Sequence, residues 1–200
     1  MNGHGFSTGE AVRVGWETTT KNLGLLAVAI AIVMAIGIMP AVASDSWVVQ
    51  AVAWVLNTAV GLGVLRIALR FVDGEKGELV DLFSTLPLIP QYLIASIIIA
   101  PIVAVGFVLL IIPGVYWAVR LYMFPWVMVD KGVGPFEALR QSWEITRGSF
   151  WNLFGLFILL FGINLLGMIA LVVGLLVTIP LSIVAVGYAY RRLEEQAHLN

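Results

Sequence analysis

Arg120 is the one charged residue between Leu82 and Val129, a run that is otherwise apolar or uncharged. A cation in such surroundings is expensive and has to face protein or water. Its guanidinium could hold an anion or a lipid headgroup, or gate a pathway. It could equally be structural. In that case it would bind backbone carbonyls freed near Pro101, Pro113 or Pro125, or the amides of Asn57, Gln91 or Asn164. These four residues, Arg120, Asn57, Gln91 and Asn164, form the candidate polar site, and the structural role is the expected one.

Other chemistry is poorly supplied. The chain has no Cys, which removes thiolate nucleophiles, disulfides and zinc-finger spacings. Its two histidines, His4 and His198, sit at the ends, so no metal site is expected. General acid–base work needs a His or paired carboxylates within hydrogen-bond reach. Here the acids have basic neighbours, such as Glu10 with Arg13 or Glu144 with Arg147, and are expected to be solvated helix faces. Gly132 and Gly134 are too few for a phosphate loop. No catalytic residue, no cofactor and no enzymatic activity are therefore expected.

The elements that would position these residues are written in the charge distribution. From Asn22 to Leu65 the one charge is Asp45, and from Gly148 to Tyr190 there is none. A bilayer core about 30 Å thick takes roughly 20 helical residues to cross. Each of these three stretches, which carry one charge or none, is about twice that length. The expected fold is an all-α integral membrane protein with six transmembrane helices arranged as three hairpins. One membrane domain would cover 1–200, with hairpin units near 7–70, 75–130 and 134–193. An apolar content of 60 %, 12 % charged residues and a mean hydropathy of +1.00 agree with this. Lys and Arg are scattered over the turns rather than gathered in a patch, which excludes nucleic acid as a partner. The opening residues lack a basic segment followed by an apolar one, so no cleaved signal peptide is expected.

Each hairpin is preceded by a short piece expected to lie in the membrane interface. Ser7 to Thr20 opens with a capping box of Ser7 and Glu10. Gly134 to Phe150 carries Pro135 in its first turn, where a missing N–H costs nothing. Glu75 to Phe83 is a weaker version. Trp16, Trp143 and Trp151, with Arg13 and Arg140, are the expected interfacial anchors. Glu10 to Thr19 also aligns without a gap on Glu137 to Thr146, with Glu, Ala, Arg, Trp, Glu and Thr coinciding. That match reads as an internal repeat.

Charge and repeat both constrain topology. Lys and Arg occur at 13, 21, 66, 70, 76, 131, 140, 147, 191 and 192, whereas the turns near 43–46, 113–114 and 174 have none. The positive-inside rule makes both termini cytoplasmic in a cell (inner) membrane. A repeat in one orientation needs an even number of crossings between its copies, which the hairpins supply. Prolines at 40, 90, 101, 113, 125 and 180 are expected to be kinks that neighbouring helices tolerate. Small residues four apart, at Ala27, Ala31 and Ala35, at Ala59 and Gly63, and at Ala170 and Gly174, would allow close helix approach.

Several short motifs carry a resemblance. They are Ile111-Ile112-Pro113-Gly114-Val115-Tyr116, Ala118-Val119-Arg120, Val129-Asp130-Lys131-Gly132, Glu137-Ala138-Leu139 and Ser142-Trp143. Gly15-Trp16, Val177-Thr178-Ile179-Pro180 and Tyr188-Ala189-Tyr190-Arg191 extend it. On these the chain resembles a broad prokaryotic family of multi-pass membrane proteins of unknown function. That family is similar to the membrane domain attached to some glycerophosphoryl diester phosphodiesterases. The resemblance implies a six-helix module without an assigned activity, since these residues leave no room for the phosphodiesterase barrel.

The expected function is a non-enzymatic accessory or scaffold subunit acting through helix–helix and lipid contacts. Its partners would be membrane lipids and a protein partner or a second copy of the chain. The alternative is a small transporter or channel with a pathway near Arg120.

Overall fold

The computed structural model describes residues 6–43, 46–109, 111–169 and 171–198, and every regular element among them is helical. Ser44, Asp45 and Ala170, which figure in the expected hairpin tips, and His4 lie outside the described residues.

Helix α1 (Thr8–Lys21) starts where Ser7 accepts from the Glu10 backbone N–H at 3.4 Å. Glu10 does not complete a reciprocal box; its carboxylate lies 3.9 Å from Arg192 instead. The chain then turns by 95° into α2 (Leu23–Ala43) and returns as α3 (Trp47–Val72). The expected helix at Glu75–Phe83 is a loop followed by a 3-10 turn, Leu79–Phe83, and here a reciprocal capping box does form, between Glu78 and Asp81. Helix α4 (Ile89–Leu109) and α5 (Ile111–Leu121) pack on each other, and α6 (Phe124–Lys131) follows after a two-residue break. Pro125 explains the break. Its ring and missing N–H cannot coexist with a helical bond to the Leu121 carbonyl, so α6 restarts with Val127 N–H on the Met123 carbonyl at 3.1 Å. Helix α7 (Pro135–Ile145) precedes a long pair, α8 (Phe150–Ile169) and α9 (Leu171–His198). Pro101 and Pro180 lie inside continuous helices.

Four segments are long and apolar enough to cross a membrane: Trp47–Val72, Leu79–Val108, Phe150–Ile169 and Gly174–Ala197. The bent pair α1–α2 makes a fifth. The remaining expected crossing, through Ile111–Lys131, is divided between α5 and α6, neither of which has that length alone.

Burial ranks the helices. The apolar window of α9 is 44 % buried, that of α4 only 6 %, so α9 is the central post and α4 a peripheral one. Its partners are α1, α8, α3 and α2. Val184, Ala185, Ala189 and Leu193 of α9 meet Leu26, Ala29, Ile67, Ala68, Leu153 and Leu156 in one apolar core.

Close crossings rest on glycine. A Cβ on Gly63 would lie 2.3 Å from the Leu82 Cα, so α3 touches the following turn backbone to backbone. A Cβ on Gly174 would lie 2.1 Å from the Gly167 carbonyl oxygen, which seats α9 on α8. Of the expected small-residue faces, Ala59–Gly63 is buried, whereas Ala31 and Ala35 are exposed.

Candidate functional site

Arg120 lies in the last turn of α5, just before the break, and is 4 % exposed. Its Nη1 donates to the Tyr116 hydroxyl at 2.9 Å, one helical turn back. Its Nη2 donates to the Trp143 backbone carbonyl. That carbonyl belongs to the last turn of α7, where backbone acceptors lack intrahelical donors and a cation is favoured. The guanidinium also lies over the Trp143 ring at 4.2 Å, and Tyr116 meets that ring edge-on at 5.9 Å. Backbone joins in: the Arg120 carbonyl accepts from Ser142 Oγ at 2.9 Å, with Thr146 Oγ1 also 3.2 Å away but nearer the Ser142 carbonyl at 2.7 Å. Arg120 therefore locks α5 to α7 with side chain and main chain together. Its Nε has no hydrogen-bond partner, and no carboxylate pairs with it among the described residues.

The three amides grouped with Arg120 by sequence lie elsewhere. Asn164 of α8 donates to the Leu160 carbonyl at 2.8 Å and to Ser182 Oγ of α9 at 2.6 Å. Asn57 sits on α3 and Gln91 on α4, and a side-chain oxygen of each is buried without a partner, as is Oδ1 of Asn164. No hydrogen bond among the described residues joins any two of the four. The structure places them at separate helix contacts.

The expected anchors are all exposed: Trp16, Trp143 and Trp151, together with Arg13 and Arg140. Arg140 pairs with Glu144 at 3.1 Å, so Glu144 is engaged by the preceding turn rather than by Arg147. The matched helices α1 and α7 bury the same register. Ala11, Gly15 and Thr19 face inward on one, and Ala138, Ser142 and Thr146 on the other. Gly15 abuts the Leu181 carbonyl of α9, where a Cβ would stand 2.7 Å away, as Ser142 abuts the Arg120 carbonyl.

Sequence reading missed the densest polar cluster. Arg191 of α9 donates to both oxygens of Asp130, each at 2.8 Å, and to both oxygens of Asp73, at 2.6 and 2.8 Å. Tyr190 adds its hydroxyl to Asp130 at 2.9 Å, and Lys131 reaches Glu194 at 3.0 Å. Arg66 donates to the Val129 carbonyl, and Arg70 holds Asp81 at 2.8 Å. The ends of α3 and α6 are thus clamped to α9. A usable signal was present, because Val129-Asp130-Lys131 and Tyr190-Arg191 both carry the resemblance and prove to be neighbours.

Two cavities flank the α5–α6 break, of about 340 Å³ toward α4 and about 240 Å³ toward α8 and α9. Tyr122, Leu65 and Trp126 line both. Asn164 and Ser182 edge the smaller one, and Arg120 lines neither. Among the described residues no group of His, Cys, Asp and Glu is arranged to hold a metal ion.

Comparison with known proteins gives one result. The curated proteins and the solved structures compared with the chain include no match. A family model does match, the membrane domain of glycerophosphoryl diester phosphodiesterase, over residues 80–188. That range is more than half of the chain and runs from the 3-10 turn after α3 into α9, taking in the Arg120 lock. The chain belongs to the family of this membrane domain.

Proposed function

We propose that the chain is a non-enzymatic integral membrane module, acting as an accessory or scaffold subunit through helix–helix and lipid contacts. The observation that carries this reading is the use made of Arg120. Its guanidinium is spent on Tyr116, the Trp143 ring and a helix-end carbonyl, which is how a packing residue is held. A gating or substrate-binding cation would face a wet pathway, and Arg120 borders neither cavity beside the break.

The same reading includes six crossings in three hairpins, with both termini cytoplasmic in the inner membrane. The ionic cluster supports it. Asp81 is bound by Arg70 before α4, and Asp130 is bound by Arg191 in the last turn of α6, so the chain leaves one charged end and comes back to it. An even number of crossings does that. The shared inward register of α1 and α7 supports an internal repeat, and their exposed Trp and Arg residues suit the lipid interface.

A second reading, a small transporter or channel, is favoured by the two cavities beside the broken span. Purification from the native membrane with identification of what co-purifies tests the first reading, and solute flux into vesicles containing the pure protein tests the second. A stoichiometric protein partner with no flux supports the scaffold. Flux without a partner overturns it.

A further inference from the structure

The corner between α1 and α2 opens on a recess of about 490 Å³, within the range of about 300–1,000 Å³ typical of small-molecule sites. Asn22 forms the corner. Its Nδ2 and its backbone N–H both donate to the Thr18 carbonyl, at 2.9 and 3.1 Å, which fixes the bend. Facing it are the end of α3 and the loop through Lys76. Gly74 turns the loop with φ +79°, and Gly77 presses it onto α3, where a Cβ would stand 2.9 Å from Ile67 Cγ2.

The recess has a cationic rim and an apolar floor. Lys21 and Lys76 come to it from different segments, both exposed, and neither has an ion pair or hydrogen bond among the described residues. The one carboxylate present, Glu75, lies 3.8 Å from Arg70 and is partly offset by it. Leu25 and Phe71 lie beneath and pack against the apolar core. The apolar run of α2 starts at Leu23 and α3 ends at Val72, so the recess lies where hydrocarbon gives way to headgroups. A complementary ligand has negative charge above and hydrocarbon below. Free phosphate shares the charge but leaves Leu25 and Phe71 uncovered.

We propose that this recess binds the headgroup phosphate of an anionic phospholipid, with Lys21 and Lys76 as its two cationic contacts and the Thr18 hydroxyl beside them. The site rests on the reading of the chain as a lipid-contacting module and names the lipid class. Basic groups at this level attract anionic headgroups, and a ligand that binds the folded state raises its thermal midpoint.

The test uses purified protein in dodecyl maltoside, with its thermal midpoint measured alone and with dioleoylphosphatidylglycerol, dioleoylphosphatidylcholine or inorganic phosphate. Phosphatidylglycerol is expected to raise the midpoint by several degrees, and the other two to leave it nearly unchanged. In the double variant Lys21→Gln/Lys76→Gln the lipid-free midpoint should stay where it was, because both side chains are exposed. Its response to phosphatidylglycerol should fall to the phosphatidylcholine level, whereas Arg147→Gln should keep the full response. An equal response in the double variant, or to phosphatidylcholine, overturns the site. Phosphate reproducing the whole rise overturns the lipid as its ligand. Flux and co-purification are measured apart from this, so loss of the scaffold reading would not be mistaken for loss of the site.

Discussion

Arg191 grips Asp130 through two parallel hydrogen bonds of 2.8 Å and, with the rest of its guanidinium, holds both oxygens of Asp73. One side chain thereby ties the ends of α3 and α6 to α9. Replacing it by Ala leaves two carboxylates facing each other with no cation between them. Arg191 is 23 % exposed, so solvent screens the loss only in part. A destabilisation on the order of 2 kcal/mol is expected. Arg191→Lys should recover less than half, since an ammonium cannot serve two carboxylates bidentately. Thermal unfolding in detergent measures both, and an unchanged midpoint for Arg191→Ala would show the clamp to be idle.

Arg120→Ala should also destabilise, by about 1–3 kcal/mol, because the Tyr116 hydroxyl loses its donor and the Trp143 carbonyl keeps only the long contact from Thr146 Oγ1 at 3.3 Å. Arg120→Lys should fall between the two. A ligand-binding role gives another pattern. Arg120→Ala would then be at least as stable as the parent and would no longer retain bound lipid.

Two glycines of α3 separate crowding from helix propensity. Gly63→Ala puts a methyl 2.3 Å from the Leu82 backbone, which cannot move aside as a side chain could. A loss of about 1–3 kcal/mol or a failure to fold is expected. Gly61→Ala meets nothing within 4 Å and should gain up to about 1 kcal/mol from helix propensity alone. Equal midpoints for the two variants would contradict the backbone contact.

Topology can be read by labelling, because the chain has no Cys of its own. A Cys at Ser46 should react with an impermeant thiol reagent added outside intact cells. A Cys at Gly134, where a Cβ meets nothing within 4 Å, should react only after the membrane is opened. Gly77 is a poorer reporter, since a side chain there collides with Ile67 and Phe71. The opposite pattern at either position contradicts the six-crossing arrangement.

Helical, membrane-embedded character was legible in the three nearly charge-free stretches because the cost of burying charge in hydrocarbon acts residue by residue. The match of Glu10–Thr19 with Glu137–Thr146 likewise pointed to helices that bury one register. What could not be read is what depends on distant partners. Nothing local to Arg120 names the carbonyl of Trp143, and Arg191 meets Asp73 across 118 positions of chain. The break after Leu121 was local, but Pro125 alone does not distinguish a kink from a stop, and Pro101 and Pro180 remain inside their helices. The box at Ser7 failed for a similar reason, because Glu10 is drawn toward Arg192 of α9.

The packing of α1 on α9, where Gly15 settles against Leu181 and Ala185, has a bearing on the order of synthesis. A ribosome completes α1 long before α9 exists, so one side of α1 stays uncovered while everything between them is made. Asn152 of α8, donating to the Phe6 carbonyl at 2.9 Å, also arrives late. Closing so long a loop is slow, and exposed intermediates invite wrong pairings. During that interval the lipid interface, on the reading proposed above, would give α1 somewhere to rest with Trp16 and Arg13 outward. Packing of α1 is therefore completed only by α9, and a chain halted before α9 would leave α1 without that partner.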